Sequence, residues 1–193
     1  HQHLVSSGVV NIASVAEPVL AIKQGVVSVE AGAAGVVTGT TGSWAAAGTG
    51  GVPFTGSITD LAAVEGSVVN IDGGDLVRLA TAIENTGGLG AFDVATSVTL
   101  PADFSFFGGS LAAANLKVYR GDGTALVAGT DFSVTGATIT FLDHLAPSLL
   151  PGRAGTAEDN SGANVVVITY DLVAATSVAA SRSLQTSATL NNY

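Results

Sequence analysis

Residues 75–85 (DLVRLATAIEN) set the pattern for the chain: Val77, Leu79, Thr81 and Ile83 fall on one face, and Arg78, Ala80, Ala82 and Glu84 on the other. Successive side chains of an extended strand point to opposite faces, so this period of two predicts a β-strand. Thr86-Gly87-Gly88 then turns the chain, and residues 92–100 (FDVATSVTL) alternate again until Pro101 stops them. Residues 9–15 (VVNIASV) alternate loosely, and 19–29 (VLAIKQGVVSV) form a β-like stretch after Pro18, interrupted at Gly25. Further strands are expected over 116–119, 126–127, 131–135, 138–142, 165–173 and 183–191. Many short strands with turn signals about every 8–12 residues read as an antiparallel sandwich. A helical period never persists, so little helix is expected.

Residues 31–59 break this rhythm. The composition shifts to Gly, Ala, Thr and Ser, including GTTGSWAAAGTGG, and predicts a long loop or loosely ordered insertion. Trp44 is its large side chain, and the area it can bury makes it a packing anchor rather than a ligand platform.

Composition narrows the functions open to the chain. Only 11 % of its residues are charged, with 15 acids against 6 bases and a net charge of −9. Such a surface repels nucleic-acid backbones and anionic lipid. With no Cys there are no disulfides, zinc thiolates or thiol nucleophiles, so durability must come from the core, bound ions or other cross-links. No Met occurs, initiator included, which suggests a mature or excised chain. An acidic, Cys-free, Thr/Ser/Ala/Gly-rich composition suggests an extracellular or cell-surface location.

GGDLVRLATAIENTGG (73–88) followed by FDVATSVTLPADFSF (92–106) resembles the opening of the bacterial surface-protein repeat called domain of unknown function eleven. The resemblance is carried by a strand ending in Asn85-Thr86-Gly87 and a strand ending in Leu100-Pro101-Ala102. GANVVVITYDLVA (162–174) and LQTSATLNNY (184–193) resemble its last two strands, so the match covers about residues 66–193. It implies an immunoglobulin-like β-sandwich, repeated in tandem in long secreted or outer-surface proteins, with isopeptide-forming or fimbrial relatives. The organisation expected is residues 1–17 as an N-terminal strand or linker and 18–193 as the sandwich module. Residues 4–16 would pair with a neighbouring module or form an edge strand of their own sandwich. Addition to an exposed edge draws affinity from backbone hydrogen bonds.

Chemistry-bearing groups are sparse. His144 is the internal histidine, its neighbour Asp143 would point the other way in a strand, and no Gly-x-Ser-x-Gly elbow is present, so a hydrolase is not expected. NIDGGD (70–75) and AEDNSGAN (157–164) bring oxygen ligands together with glycine, making Asp72, Asp75, Asp159 and Asn160 the candidate calcium ligands. Such runs are more often plain turns whose side chains cap the backbone. Arg120-Gly121-Asp122 spells a cell-adhesion tripeptide, but YRGDGTAL reads first as a hairpin turn. An isopeptide would need Lys beside Asn in a dry core with a carboxyl to shuttle protons. Lys23, Asn192 and Asp171 are the candidates, with Lys117, Asn191 and Glu84 as substitutes.

The chain therefore reads as a non-enzymatic structural module of a bacterial surface or fibre protein. Its expected partners are copies of itself or adjacent repeats, through tandem repetition or strand exchange. A calcium-dependent or glycan-binding adhesin module is the alternative, and no cofactor is expected beyond that possible calcium.

Overall fold

The computed structural model describes residues 16–51, 54–55, 58–153, 161–178 and 185–192. In chain order the strands are β1 (Leu20–Val29), β2 (Val36–Thr38), β3 (Ser43–Trp44), β4 (Phe54–Thr55), β5 (Ser67–Val69), β6 (Leu76–Asn85) and β7 (Ala95–Thr99). They continue as β8 (Phe104–Phe106), β9 (Lys117–Arg120), β10 (Ala125–Leu126), β11 (Phe132–Thr135), β12 (Thr138–Phe141), β13 (Val165–Ala174) and β14 (Ser187–Asn192). Among the described residues, helix is confined to 3₁₀ turns at Leu61–Val64 and Phe107–Gly109. The expected strand over 9–15 lies outside the described residues.

Two antiparallel sheets face each other as a β-sandwich, the fold class the strand pattern predicts. The larger runs β1-β6-β13-β9-β10, with β8 pairing the far end of β13, and the smaller runs β11-β12-β7-β14. Between them lies the main core, where Val77, Leu79 and Ile83 of β6 and Val166, Ile168, Tyr170 and Leu172 of β13 meet Val98, Ile139 and Phe141 of the smaller sheet. Tyr170 is fully buried, with the Phe106 ring edge-on to it and its hydroxyl against the Gln24 amide. Burial pushes its phenol well above the ordinary value, so it stays neutral.

Alternation on β6 and β13 does not separate a wet face from a dry one. Both strands are buried along almost their whole length, on both faces. The second face is covered by the segment between β1 and β6, whose Ile58 and Val64 pack with Ala80, Ala82, Val165 and Val167, and whose Trp44 and Leu61 lie against them. This segment was expected as loose loop and instead carries two small ribbons, β2 with β5 and β3 with β4. Trp44 takes the anchoring place expected for it, its indole NH donating to the Thr41 carbonyl at 2.9 Å. The ribbons and β8 are too short to show a period in the sequence. They exist because the large sheet offers an apolar surface to cover.

Two small residues let that segment cross from the outer face over the edge of β1. The Val26 NH donates to the Gly66 carbonyl at 2.9 Å, so Gly66 occupies the edge of β1 at this point. A Cβ on Gly25 would stand 1.9 Å from the Val64 carbonyl oxygen, and one on Gly66 would stand 1.9 Å from that of Val26. The interruption at Gly25 is thus a crossing point, where backbone passes backbone without room for a side chain.

Asn85 closes the other end of β1 and β6. Its Oδ1 accepts from the Val19 and Gly87 NH groups at 3.1 and 3.0 Å, and its Nδ2 donates to the Leu89 and Leu150 carbonyls at 2.8 and 3.2 Å. The side chain is fully buried with its amide oxygen and nitrogen each doubly bonded, which gives the Asn85-Thr86-Gly87 sequence a structural reason. Gly25→Ala is expected to destabilise the fold by at least about 2 kcal/mol, because the overlap is with main chain that cannot rotate away. Urea denaturation of the two proteins checks it, and equal midpoints would show that the crossing is not tight.

Candidate functional site

The concentration of polar chemistry lies on the outer face of the large sheet, under the covering segment. Arg78 of β6 and Asp171 of β13 are direct cross-strand partners, 1 % and 0 % exposed. Arg78 Nε donates to Asp171 Oδ1 at 2.8 Å and its Nη2 to Oδ2 at 3.0 Å, a two-pronged ion pair. The guanidinium also donates to the Ala45 carbonyl at 3.1 Å and to the Thr49 carbonyl at 2.8 Å. Asp171 Oδ2 accepts from the Gly48 NH at 2.9 Å and the Asn115 amide at 2.8 Å. Ser28 Oγ adds a bond to the Ala45 carbonyl at 2.7 Å. The pair thus binds residues 45–49 to the sheet, and its chemistry is that of a brace.

The isopeptide candidates are not brought together by this arrangement. Lys23 sits opposite Ala82 on the outer side of β1 and makes an ion pair with Glu65, both side chains over 40 % exposed. Asp171 is engaged by Arg78, and Asn192 lies on β14 of the other sheet, paired with Ala95. Of the substitutes, Lys117 is opposite Thr169 on β9, Asn191 Nδ2 donates to Ser97 Oγ at 2.5 Å, and Glu84 accepts from Arg153 Nη2 at 3.2 Å. Burial raises the Glu84 carboxyl above its ordinary value, while Arg153 lowers it and Asp60 raises it further.

The calcium candidates divide. Asp75 Oδ2 accepts from the Asp72 NH at 2.9 Å and the Asp75 NH donates to the Asp72 carbonyl at 3.2 Å, so these two close a turn on each other. Asp159 and Asn160 lie outside the described residues. Among the described residues no group of three or more His, Asp or Glu side chains could hold a metal ion. Arg120-Gly121-Asp122 forms the turn between β9 and β10, where Asp122 Oδ1 accepts from the Thr124 NH at 2.9 Å.

His144 is exposed, with its Nδ1 2.5 Å from Asp93 Oδ1. Asp143 and His144 lie beyond the end of β12 and not in a strand; Asp143 is buried and accepts from the Asp93 and Leu149 NH groups at 3.1 and 2.6 Å. Ser148 Oγ donates to the Ala91 carbonyl and accepts from the Leu150 NH at 3.0 Å. These bonds fix the loop that follows β12 against the start of β7.

Sequence reasoning missed Arg78 as a functional group. Its signal was present: a charge in the middle of an alternating apolar strand, with Asp171 similarly placed in VVVITYDLV. Lone charges at such positions are paired or costly.

No protein-family model and no curated protein matches the sequence. Among solved structures, the pilus backbone RrgB from Streptococcus pneumoniae is similar over 64 % of this chain and 43 % of its own, with 20 % identity and a TM-score of 0.43. The chain spans less than half the length of that structure.

Removing one partner of the brace leaves a buried charge, so Asp171→Ala is expected to cost about 3–5 kcal/mol, whereas Arg78→Met with Asp171→Leu costs far less than twice that. Denaturation midpoints of the single and double variants check this, and limited proteolysis should show earlier cutting within 31–59 in the single variant. Glu84 binds its proton more tightly in the folded chain than in the unfolded one, so its contribution makes stability fall as pH rises from its ordinary value through its raised one. Glu84→Gln should flatten that part of a plot of Tm against pH, and an unchanged slope would contradict the assignment.

Proposed function

We propose that the chain is a structural module of a bacterial extracellular surface or fibre protein, of the repeat type that Asn85-Thr86-Gly87 and Leu100-Pro101-Ala102 resemble. The observation that carries the reading is the braced outer face. In a chain without Cys, central strands are buried on both faces and a long segment is bound down by a buried ion pair. Polar groups that could have converged on an open site are spent instead on main-chain carbonyls and NH groups within the fold. This is the outlay expected of a part that must keep its shape outside the cell without disulfides.

Assembly proceeds by tandem repetition or by addition of residues 4–16 to a neighbour's sheet edge. Both use stretches of sequence that carry little charge in an otherwise acidic chain: residues 4–16 and 183–193 hold no charged side chain. Immunogold electron microscopy of intact source cells, with antibody raised against this chain, tests the reading. Label on surface fibres, together with a parent chain or polymer larger than 18.9 kDa, is the expected result. Label confined to monodisperse particles of the isolated chain would end it.

A further inference from the structure

The chain enters and leaves the sandwich at one end, the end where β6 finishes. Leu20 opens β1 opposite Asn85, the last residue of β6. Asn192 closes β14 opposite Ala95, the first residue of β7. The Asn85 amide donates to the Leu89 and Leu150 carbonyls and Ala91 bridges to Leu150, which holds the link from β6 to β7 at this end. β13 finishes at the opposite end, where Val173 is opposite Leu76 at the start of β6 and Ala174 is opposite Phe104.

The two connections are fastened differently. On the entry side the Gly88 NH donates to the Glu17 carbonyl at 3.1 Å, the Val19 NH to Asn85 Oδ1 at 3.1 Å, and the Thr86 NH to the Val19 carbonyl at 2.9 Å. β1 then pairs with β6 along Leu20–Val29, and its other edge is held as well. Lys23 meets Glu65, the Val26 NH donates to the Gly66 carbonyl, and the Val29 carbonyl accepts from the Ala47 NH at 3.2 Å. On the exit side β14 pairs, among the described residues, with β7 alone, and its register breaks between Leu190 and Asn192.

We propose that the fold is a two-stage device under tension: β14 is a strap that peels away first, and its release turns β1, β6 and β13 into a clamp. When the two connections are drawn apart, β14 is loaded at Asn192, so its bonds to β7 carry the force one after another. Once it has gone, the load passes to Ala174 at the far end. β1 is then drawn from one end of the large sheet and β13 from the other, and each must slide along β6. The bonds along each of these interfaces carry the force together, because β1 and β13 flank β6 and are pulled along its axis. The Arg78–Asp171 pair spans one of the two sliding interfaces. Forced unfolding follows the barrier to opening, which is higher where many bonds must break at once. The inference rests on the reading of the chain as a fibre module only for the source of the tension.

Single-molecule force spectroscopy of the 193-residue chain, held by its two ends, tests it. The trace should show an early extension at low force, no longer than about 65 Å for residues 175–192 at full stretch, and then a rupture at a clearly higher force. The chain has no Cys, so Ala175→Cys supplies a single new attachment point. Held there and by its N-terminal end, the chain should skip the early extension and keep the high-force rupture. Ser97→Cys with Thr189→Cys, at directly opposed positions of β7 and β14, should lose nearly all of the early extension when oxidised and regain it on reduction. A single rupture in the wild-type chain overturns the proposal. So does an early extension that survives the cross-link, or a low-force rupture through the Ala175→Cys attachment. Immunogold labelling is independent of all these outcomes, so failure of the two-stage device and failure of the fibre reading are told apart.

Discussion

The ion pair between Arg78 and Asp171 is the constraint around which the outer half of the molecule is arranged. A guanidinium and a carboxylate at 1 % and 0 % exposure are tolerable only if their remaining hydrogen-bonding capacity is met. It is met by main chain, from the carbonyls of Ala45 and Thr49 and the NH of Gly48, with Asn115 completing the carboxylate. A segment of small residues, with little apolar area of its own, is thereby bound to a specific place. Once it is there, the outer faces of β6 and β13 are dry, and Ala80, Ala82, Val165 and Val167 become core. Buried pairs of this sort add little net stability over a hydrophobic replacement, so their effect here is to fix one arrangement of a chain that has many.

The close glycine pair is the geometric counterpart of that brace. Segment 31–66 has to return from the outer face to begin β6, and it does so over the edge of β1 between Gly25 and Gly66. The crossing also occupies part of an edge that would otherwise offer free NH and carbonyl groups to another chain. At the opposite end Asn85 does comparable work with one side chain, joining the start of β1, the turn after β6 and the loop at Leu150. Between them these two places decide how the outer segment and the loops attach to a sandwich whose strands are ordinary.

Much of that sandwich was legible. The long alternating runs at 75–85 and 165–173 became the two central strands, and the shorter runs at 92–100, 131–135 and 138–142 became neighbours in the smaller sheet. Turn chemistry was equally readable, since Asp122 and the Asp72–Asp75 pair act on their own backbone as such residues usually do. The order of 31–59 was not legible, because ribbons of two or three residues have no period and hold their form through contacts distant in sequence. Nor was the partner of Lys23, because Glu65 reaches it only through the 3₁₀ turn at Leu61–Val64, whose place beside β1 is set by the fold.

Local pattern alone determined which stretches are strands and which side chains share a face, since the backbone pleat enforces a period of two whatever surrounds it. It determined too that the chain would be all-β, acidic and without disulfides. Tertiary structure alone decided what lies on each face. Arg78 and Glu84 share an alternation that marks neither as buried, and only the fold shows that one is sealed beneath residues 45–49 and the other lies beside Arg153. The physical reason is that burial depends on what packs across a surface, and here the covering chain is held by bonds between residues up to 123 positions apart.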